Sequence, residues 1–168
     1  MAKETGFLKS YTIYRALPAG DGTAARFEYA PDKECVFLEM ARQKRPAGQG
    51  ERATFDWENK VTIKLALADL GEFIAVLEKR QKGCGPYRDG RFKGLFHQSR
   101  ARSVSINFEA SERGGWYLRV GDINVGDTSV GVKRGDNKPT SLSQGISYAE
   151  GSVLLVLLRR AVEAIFAW

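Results

Sequence analysis

The sequence has two cysteines, one histidine and no long apolar run. Each shortage closes a class of function. Cys35 and Cys84 are too few for a disulfide framework, which points to a reducing compartment. Cys35 lies in the apolar run Cys-Val-Phe-Leu and reads as a small core residue. His97 stands alone, and Cys84 is too isolated to complete a set of metal ligands with it. A hydrolase built from Cys84, His97 and Asp89 has no nucleophile motif behind it, so no catalytic residue is assigned. No cofactor is implied either, because the glycines at 121, 126, 131 and 135 fit neither a Walker loop nor a dinucleotide fingerprint. They read as bends and turns of a curved sheet. The most apolar stretch, Leu154 to Leu158, runs into Arg159, Arg160 and Glu163, well short of the roughly 20 apolar residues that span a bilayer. The opening Met-Ala-Lys-Glu-Thr-Gly has no apolar run behind its charge and does not read as a secretory signal. The expected setting is cytoplasm or nucleoid, or an organelle matrix in a eukaryote, with no membrane partner.

What the chain does have is positive charge in one place. From Glu78 to Arg102 there are eight Lys and Arg against two carboxylates, a balance of +6 that equals the net charge of all 168 residues. The rest of the chain therefore sums to zero. A basic patch confined to one connection and its flanks is the footprint of an anion-binding surface. Tyr87, Phe92, Phe96 and His97 lie in the same segment. Rings among cations suit unpaired nucleic acid, since bases stack on rings while Lys and Arg follow the backbone. A solvated basic loop has the same composition.

Periodicity organises the 168 residues into one domain with two similar halves, about 8–82 and 92–168. Ser10 to Leu17, Thr23 to Tyr29 and Cys35 to Arg42 are strand-like, with turn signals at Pro18 to Gly22 and Pro31-Asp32. A long fourth strand is expected where Phe55, Trp57, Val61, Ile63 and Leu65 alternate with charged and polar residues, interrupted at Asn59. Leu67, Leu70, Ile74 and Leu77 then fall at helical spacing, predicting a helix over Ala66 to Lys82. The second half follows the same plan. Phe92 to Gln98, Arg102 to Ala110, Trp116 to Val120 and a weaker Ile123 to Val132 are strand candidates. Ser147-Tyr-Ala-Glu150 fits a capping box and opens a last helix. The order is ββββα-ββββα, an α+β fold.

Candidate binding residues follow from strand parity. Lys60 and Lys64 share one face of the fourth strand, roughly 13 Å apart, a spacing that suits phosphates two nucleotides apart. Arg42, Lys44 and Arg45 extend that track, and Lys93, Arg100 and Arg102 supply cations from the basic segment. Tyr14 and Tyr117 lie on the opposite parity from Ile13 and Leu118, and with Phe96 are the candidates for stacking bases. Trp57 and Trp116 share faces with aliphatic residues and are assigned to the core. His97 either bonds within its strand or stacks a base. The apolar stripe of the last helix is broader than one packing face requires, which suggests subunit contact as well as core.

Several short segments resemble the Whirly family of single-stranded DNA-binding proteins. Tyr11-Thr-Ile-Tyr14 is similar to the family's Tyr-Thr-Val-Tyr opening strand, and Phe55-Asp-Trp57 to its Tyr-Asp-Trp. Ala66-Leu-Ala-Asp-Leu-Gly71 resembles its strand-to-helix junction, Leu95-Phe-His97 its Phe-Phe-His, and Tyr117-Leu-Arg-Val120 its Asn-Leu-Ser-Val. The family's Lys-Gly-Lys-Ala-Ala-Leu segment is replaced by Arg15-Ala-Leu-Pro18, which keeps one cation at Arg15, and the Asp-Pro after Phe-His is Gln98-Ser99. The resemblance implies two four-stranded antiparallel sheets, each followed by a helix, and a homotetramer joined through helices. It also implies single-stranded DNA bound along the sheets with little sequence preference. Guide-RNA-binding proteins share that fold, so RNA stays open as the partner. A protein-interaction domain whose basic loop docks an acidic partner is the reading from another class.

Overall fold

The computed structural model describes residues 10–48, 50–98, 103–123 and 141–166. In its first sheet, β1 (Ser10–Arg15), β2 (Thr23–Ala30) and β3 (Cys35–Arg45) pair in sequence order, antiparallel. The Pro31-Asp32 signal becomes a short 3-10 turn that ends on Glu34 at φ 48°. Beyond β3 the expected fourth strand divides. β4 (Thr54–Phe55) and β5 (Val61–Leu65) each pair with β3, so this sheet has five strands instead of four. The break is a 3-10 turn at Trp57–Asn59, where the Asn59 amide donates to Asp56 Oδ2 at 2.9 Å. Alternation resumes in β5, with Val61, Ile63 and Leu65 buried and Thr62 and Lys64 exposed.

Helix α1 (Leu67–Leu77) starts where Asp69 accepts a hydrogen bond from the Ala66 amide at 2.8 Å. Leu70, Phe73, Val76 and Leu77 form its buried face. It ends about a turn before the expected Lys82. The amide of Lys79 bonds to Val76 O and that of Arg80 to Ala75 O, which closes the helix in a Schellman motif. Lys79 takes the left-handed position, φ 60°, that glycine ordinarily fills.

After α1, a small hairpin of β6 (Tyr87–Arg88) and β7 (Arg91–Phe92) precedes the second sheet. That sheet runs β11-β10-β9-β8, all antiparallel, from β8 (Leu95–Gln98), β9 (Ser103–Ala110), β10 (Trp116–Ile123) and β11 (Ser141–Ile146). The weak strand expected over Ile123 to Val132 lies almost wholly outside the described residues. Among the described residues the sheet is completed by β11. That strand went unpredicted because its middle inward position is a glutamine, Gln144, between Leu142 and Ile146.

The capping box at the start of α2 (Tyr148–Phe166) is formed as expected. Ser147 Oγ accepts from the Glu150 amide at 3.2 Å, and Glu150 Oε2 accepts from the Ser147 amide at 2.8 Å. One buried cluster draws on both sheets and both helices. Phe73 of α1 is its hinge-pin, stacked on Phe108 of the second sheet at 4.6 Å and edge-on to Phe27 of the first at 6.2 Å. Trp116 is core, as expected, and its indole donates to Val76 O at 3.2 Å. The sheets also meet through polar atoms. Gln144 donates to Ile13 O at 3.3 Å and accepts from the Thr23 hydroxyl at 3.0 Å, with both side chains buried. Among the described residues no helix is long and apolar enough to cross a membrane.

Candidate nucleic-acid interface

The core covers one face of each sheet, and strand alternation puts every second side chain on the other. On the first sheet three rows lie on the face away from the core. They are Tyr14–Ala24–Ala41, Thr12–Arg26–Glu39–Thr62 and Ser10–Glu28–Phe37–Lys64, and in them Ala24, Ala41 and Glu39 are buried. Tyr14 is 56% exposed and leans on Phe55, with ring centroids 5.4 Å apart. Trp57, expected in the core, is only half-buried. The 3-10 turn shifts it out of phase with Val61 and Ile63, and the Arg26 guanidinium lies 4.6 Å from the centre of its ring. This pairing of a cation with an aromatic face was not foreseen. Its sequence signal was weak, because Trp57 alternates correctly with β5 if the strand is read through Asn59.

Charge on this face is partly committed. Glu39 pairs with Arg26 and, at 2.8 Å, with Lys60 Nζ. Burial works to raise the Glu39 pKa, but hydrogen bonds from Lys60 and Arg26 outweigh it and hold the carboxyl below its ordinary range. Lys60 therefore meets an anion already. Lys64, two rows away from Tyr14, is exposed and has no carboxylate partner among the described residues. Arg42 and Lys44 are exposed where β3 outruns the core. Arg15 turns elsewhere. It forms a two-pronged pair with Glu150 and fastens β1 to the first turn of α2.

The open face of the second sheet carries Phe96–Ser105–Gly121–Ser141, Asn107–Arg119–Ser143 and Glu109–Tyr117–Gly145. Phe96 is 66% exposed and Tyr117 40%, and between them lie small polar residues and glycines. Arg119, exposed in the middle row, donates to Ser141 Oγ at 3.0 Å. It was overlooked although its parity matches that of Tyr117. His97 does not join this face. It points inward, with Nε2 3.3 Å from Asp69 Oδ1, because alternation puts it opposite Phe96. Lys93 lies beside the sheet and pairs with Asp89 at 3.0 Å. Arg100 and Arg102 lie outside the described residues.

At the end of this face a groove of about 750 Å³ is lined by Arg15, Glu109, Arg113, Tyr117, Gly145 and Ser147 among others. Its cations and carboxylates are mixed, so it has no strong preference for one charge. The flat faces differ from it. Exposed rings separated by small residues and flanked by cations can stack bases and neutralise phosphates together.

No protein-family model and no curated protein matches the chain. Solved structures do match its fold. A guide-RNA-binding protein complex bound to a gRNA superposes with TM-score 0.66 at 16% identity, over 100% of this chain and 99% of that one. WHY1 from Arabidopsis thaliana superposes with TM-score 0.64 at 15% identity, over 97% of this chain and 88% of that one. The plant transcriptional regulator PBF-2 gives TM-score 0.63 at 16% identity, over 95% and 82%. The architecture is thus an α+β fold of two helices and mostly antiparallel sheets. It is the fold of the Whirly proteins, which the short segments resembled, and of the guide-RNA-binding complex.

Proposed function

We propose that this protein binds single-stranded nucleic acid, chiefly DNA, along the open faces of its two sheets, without catalysis and with weak sequence preference. The observation that carries the reading is the exposure of Tyr14, Phe96 and Tyr117 on strand faces that also present Lys64 and Arg119. Stacking on such rings tolerates any base, and the cations contribute affinity that salt weakens. The Whirly-type fold supports the reading, since proteins of closely similar architecture include a complex bound to a gRNA.

That same neighbour favours RNA as the second reading. Competition between matched DNA and RNA strands separates the two, because only RNA offers a 2′-hydroxyl. A homotetramer belongs to the proposal. Val153 and Val156 are 49% and 59% exposed on α2, an apolar pair that a second subunit can cover.

Fluorescence anisotropy tests the reading, with a labelled strand of about 30 nucleotides, its duplex and the equivalent RNA across a salt series. Tight single-strand binding that falls steeply with salt, with the duplex much weaker, is the expected result. Equal, weak binding to all three would replace it with the protein-docking reading.

A further inference from the structure

The basic segment between α1 and β8 is not a uniformly charged loop. Arg80 pairs with Glu78 at 2.6 Å, Lys93 pairs with Asp89, and Lys79 lies 4.9 Å from the centre of the Tyr148 ring. Lys82, Arg88 and Arg91 stand apart from this pattern among the described residues, and the last two form a pair. Arg88 and Arg91 face each other directly across the β6–β7 hairpin, both exposed. Among the described residues neither has a carboxylate partner, and the one acid at the tip, Asp89, is taken by Lys93.

The turn between them is Asp89-Gly90, with φ of 53° and 76°, a two-residue connection whose twist matches the strands. Directly opposed residues on an antiparallel pair have Cβ atoms roughly 5 Å apart, and like charges there repel. An unconstrained loop would let the two guanidiniums separate, but this one is held at its base. The Lys93 amide bonds to Pro86 O at 3.0 Å and the Gly94 amide to Cys84 O at 3.1 Å, while the Cys84 amide bonds to Phe108 O of β9 at 3.0 Å. Phe92 packs over Gly83, where a Cβ would come within 2.7 Å of the ring, and Tyr87 meets Phe92 edge-on at 5.0 Å. Two exposed arginines are thus held at directly opposed positions of a braced hairpin. An anion with several oxygens turns that repulsion into paired charge-assisted hydrogen bonds.

The geometry points to the Arg88–Arg91 pair as a phosphate clamp that grips the backbone of a single strand next to the second sheet. This inference rests on the nucleic-acid reading of the sheet faces. Gly94 leads from the hairpin directly into edge strand β8, where Phe96 is the exposed ring. The strand's phosphate at the hairpin and a base on Phe96 would then be held by neighbouring parts of one chain segment.

The test compares the wild type, Arg88→Gln/Arg91→Gln and Phe96→Ala. Affinity for a labelled oligothymidylate is measured across a salt series, and thermal midpoints are measured with and without inorganic tripolyphosphate. Loss of two phosphate contacts should flatten the log–log salt slope by roughly 1.4 in the arginine variant, while Phe96→Ala weakens binding at unchanged slope. Tripolyphosphate should raise the midpoint of the wild type and not that of the arginine variant. An unchanged slope and unchanged tripolyphosphate response in a folded arginine variant would overturn the clamp and leave the sheet-face reading intact. A wild type that ignores oligothymidylate but keeps the arginine-dependent tripolyphosphate response would overturn the sheet-face reading and leave an anion clamp. If a poly-glutamate peptide competes as well as the oligonucleotide for the two arginines, the clamp serves acidic protein and the inference fails.

Discussion

The Arg15 guanidinium grips both carboxylate oxygens of Glu150, joining the first strand to the last helix across 135 residues of sequence. Glu150 also caps that helix through Ser147, so one carboxylate holds a strand and a helix start together. Arg15 is therefore a structural cation first. Arg15→Ala should lower stability by about 1 kcal/mol, the modest size reflecting a partly exposed pair. It should leave the salt slope of strand binding unchanged. Chemical denaturation and the salt series check the two halves of this statement.

The same pair sets an acid limit. The Arg15 hydrogen bond, aided by Ser147 and opposed by burial, holds the Glu150 carboxyl below the ordinary value of 4.5. A carboxyl lowered on folding contributes its full stabilisation above its unfolded pKa and loses it as pH falls through the folded one. Glu39, also lowered, adds to the same trend. Stability should fall as pH drops below about 4.5, and Glu150→Gln should flatten that fall while lowering stability at neutral pH. Thermal midpoints across pH decide it.

Glu39 is the brake on the first sheet's open face, since it occupies both Arg26 and Lys60. Glu39→Gln should tighten single-strand binding and steepen the salt slope by roughly 0.7 for each phosphate newly contacted. A variant that binds no better, while folded, would show that these cations do not face the strand.

Replacing glycine by alanine inside a helix ordinarily stabilises by about 1 kcal/mol. At Gly151 the opposite is expected, because a Cβ there would run into the Trp116 ring, which is fixed by its bond to Val76 O. Gly151→Ala should cost about 1–3 kcal/mol, the usual range for an overpacked core, as read from denaturation midpoints.

If α2 joins subunits, Val156→Lys should reduce the assembly to a smaller species in light scattering, with the fold retained, since Val156 is 59% exposed and is not part of the buried core. Strand affinity should drop with it through lost multivalency.

The alternation of Val104, Ile106 and Phe108, and the capping box at Ser147, were legible because each depends on neighbours two or three residues away. Trp57 was misread because a three-residue turn changes phase without any proline or glycine to announce it. β11 was missed because Gln144, a polar residue, is buried by partners on β1 and β2 that lie more than a hundred residues earlier. Arg15 was read as a binding cation, and His97 as bonding within its strand or stacking a base, because residue type does not show its partner. Glu150 and Asp69 become visible only in three dimensions. Tyr14 and Tyr117 were singled out by strand parity and Phe96 by its place among the cations of the basic segment, and the structure leaves all three exposed.

The central claim is that those three rings stack bases. The most direct test measures the affinity of Tyr14→Ala, Phe96→Ala and Tyr117→Ala for one unstructured DNA strand at a fixed salt concentration, with the salt slope as control. The account predicts a loss of about 1–3 kcal/mol for each ring at unchanged slope. Wild-type affinity in all three folded variants would contradict it.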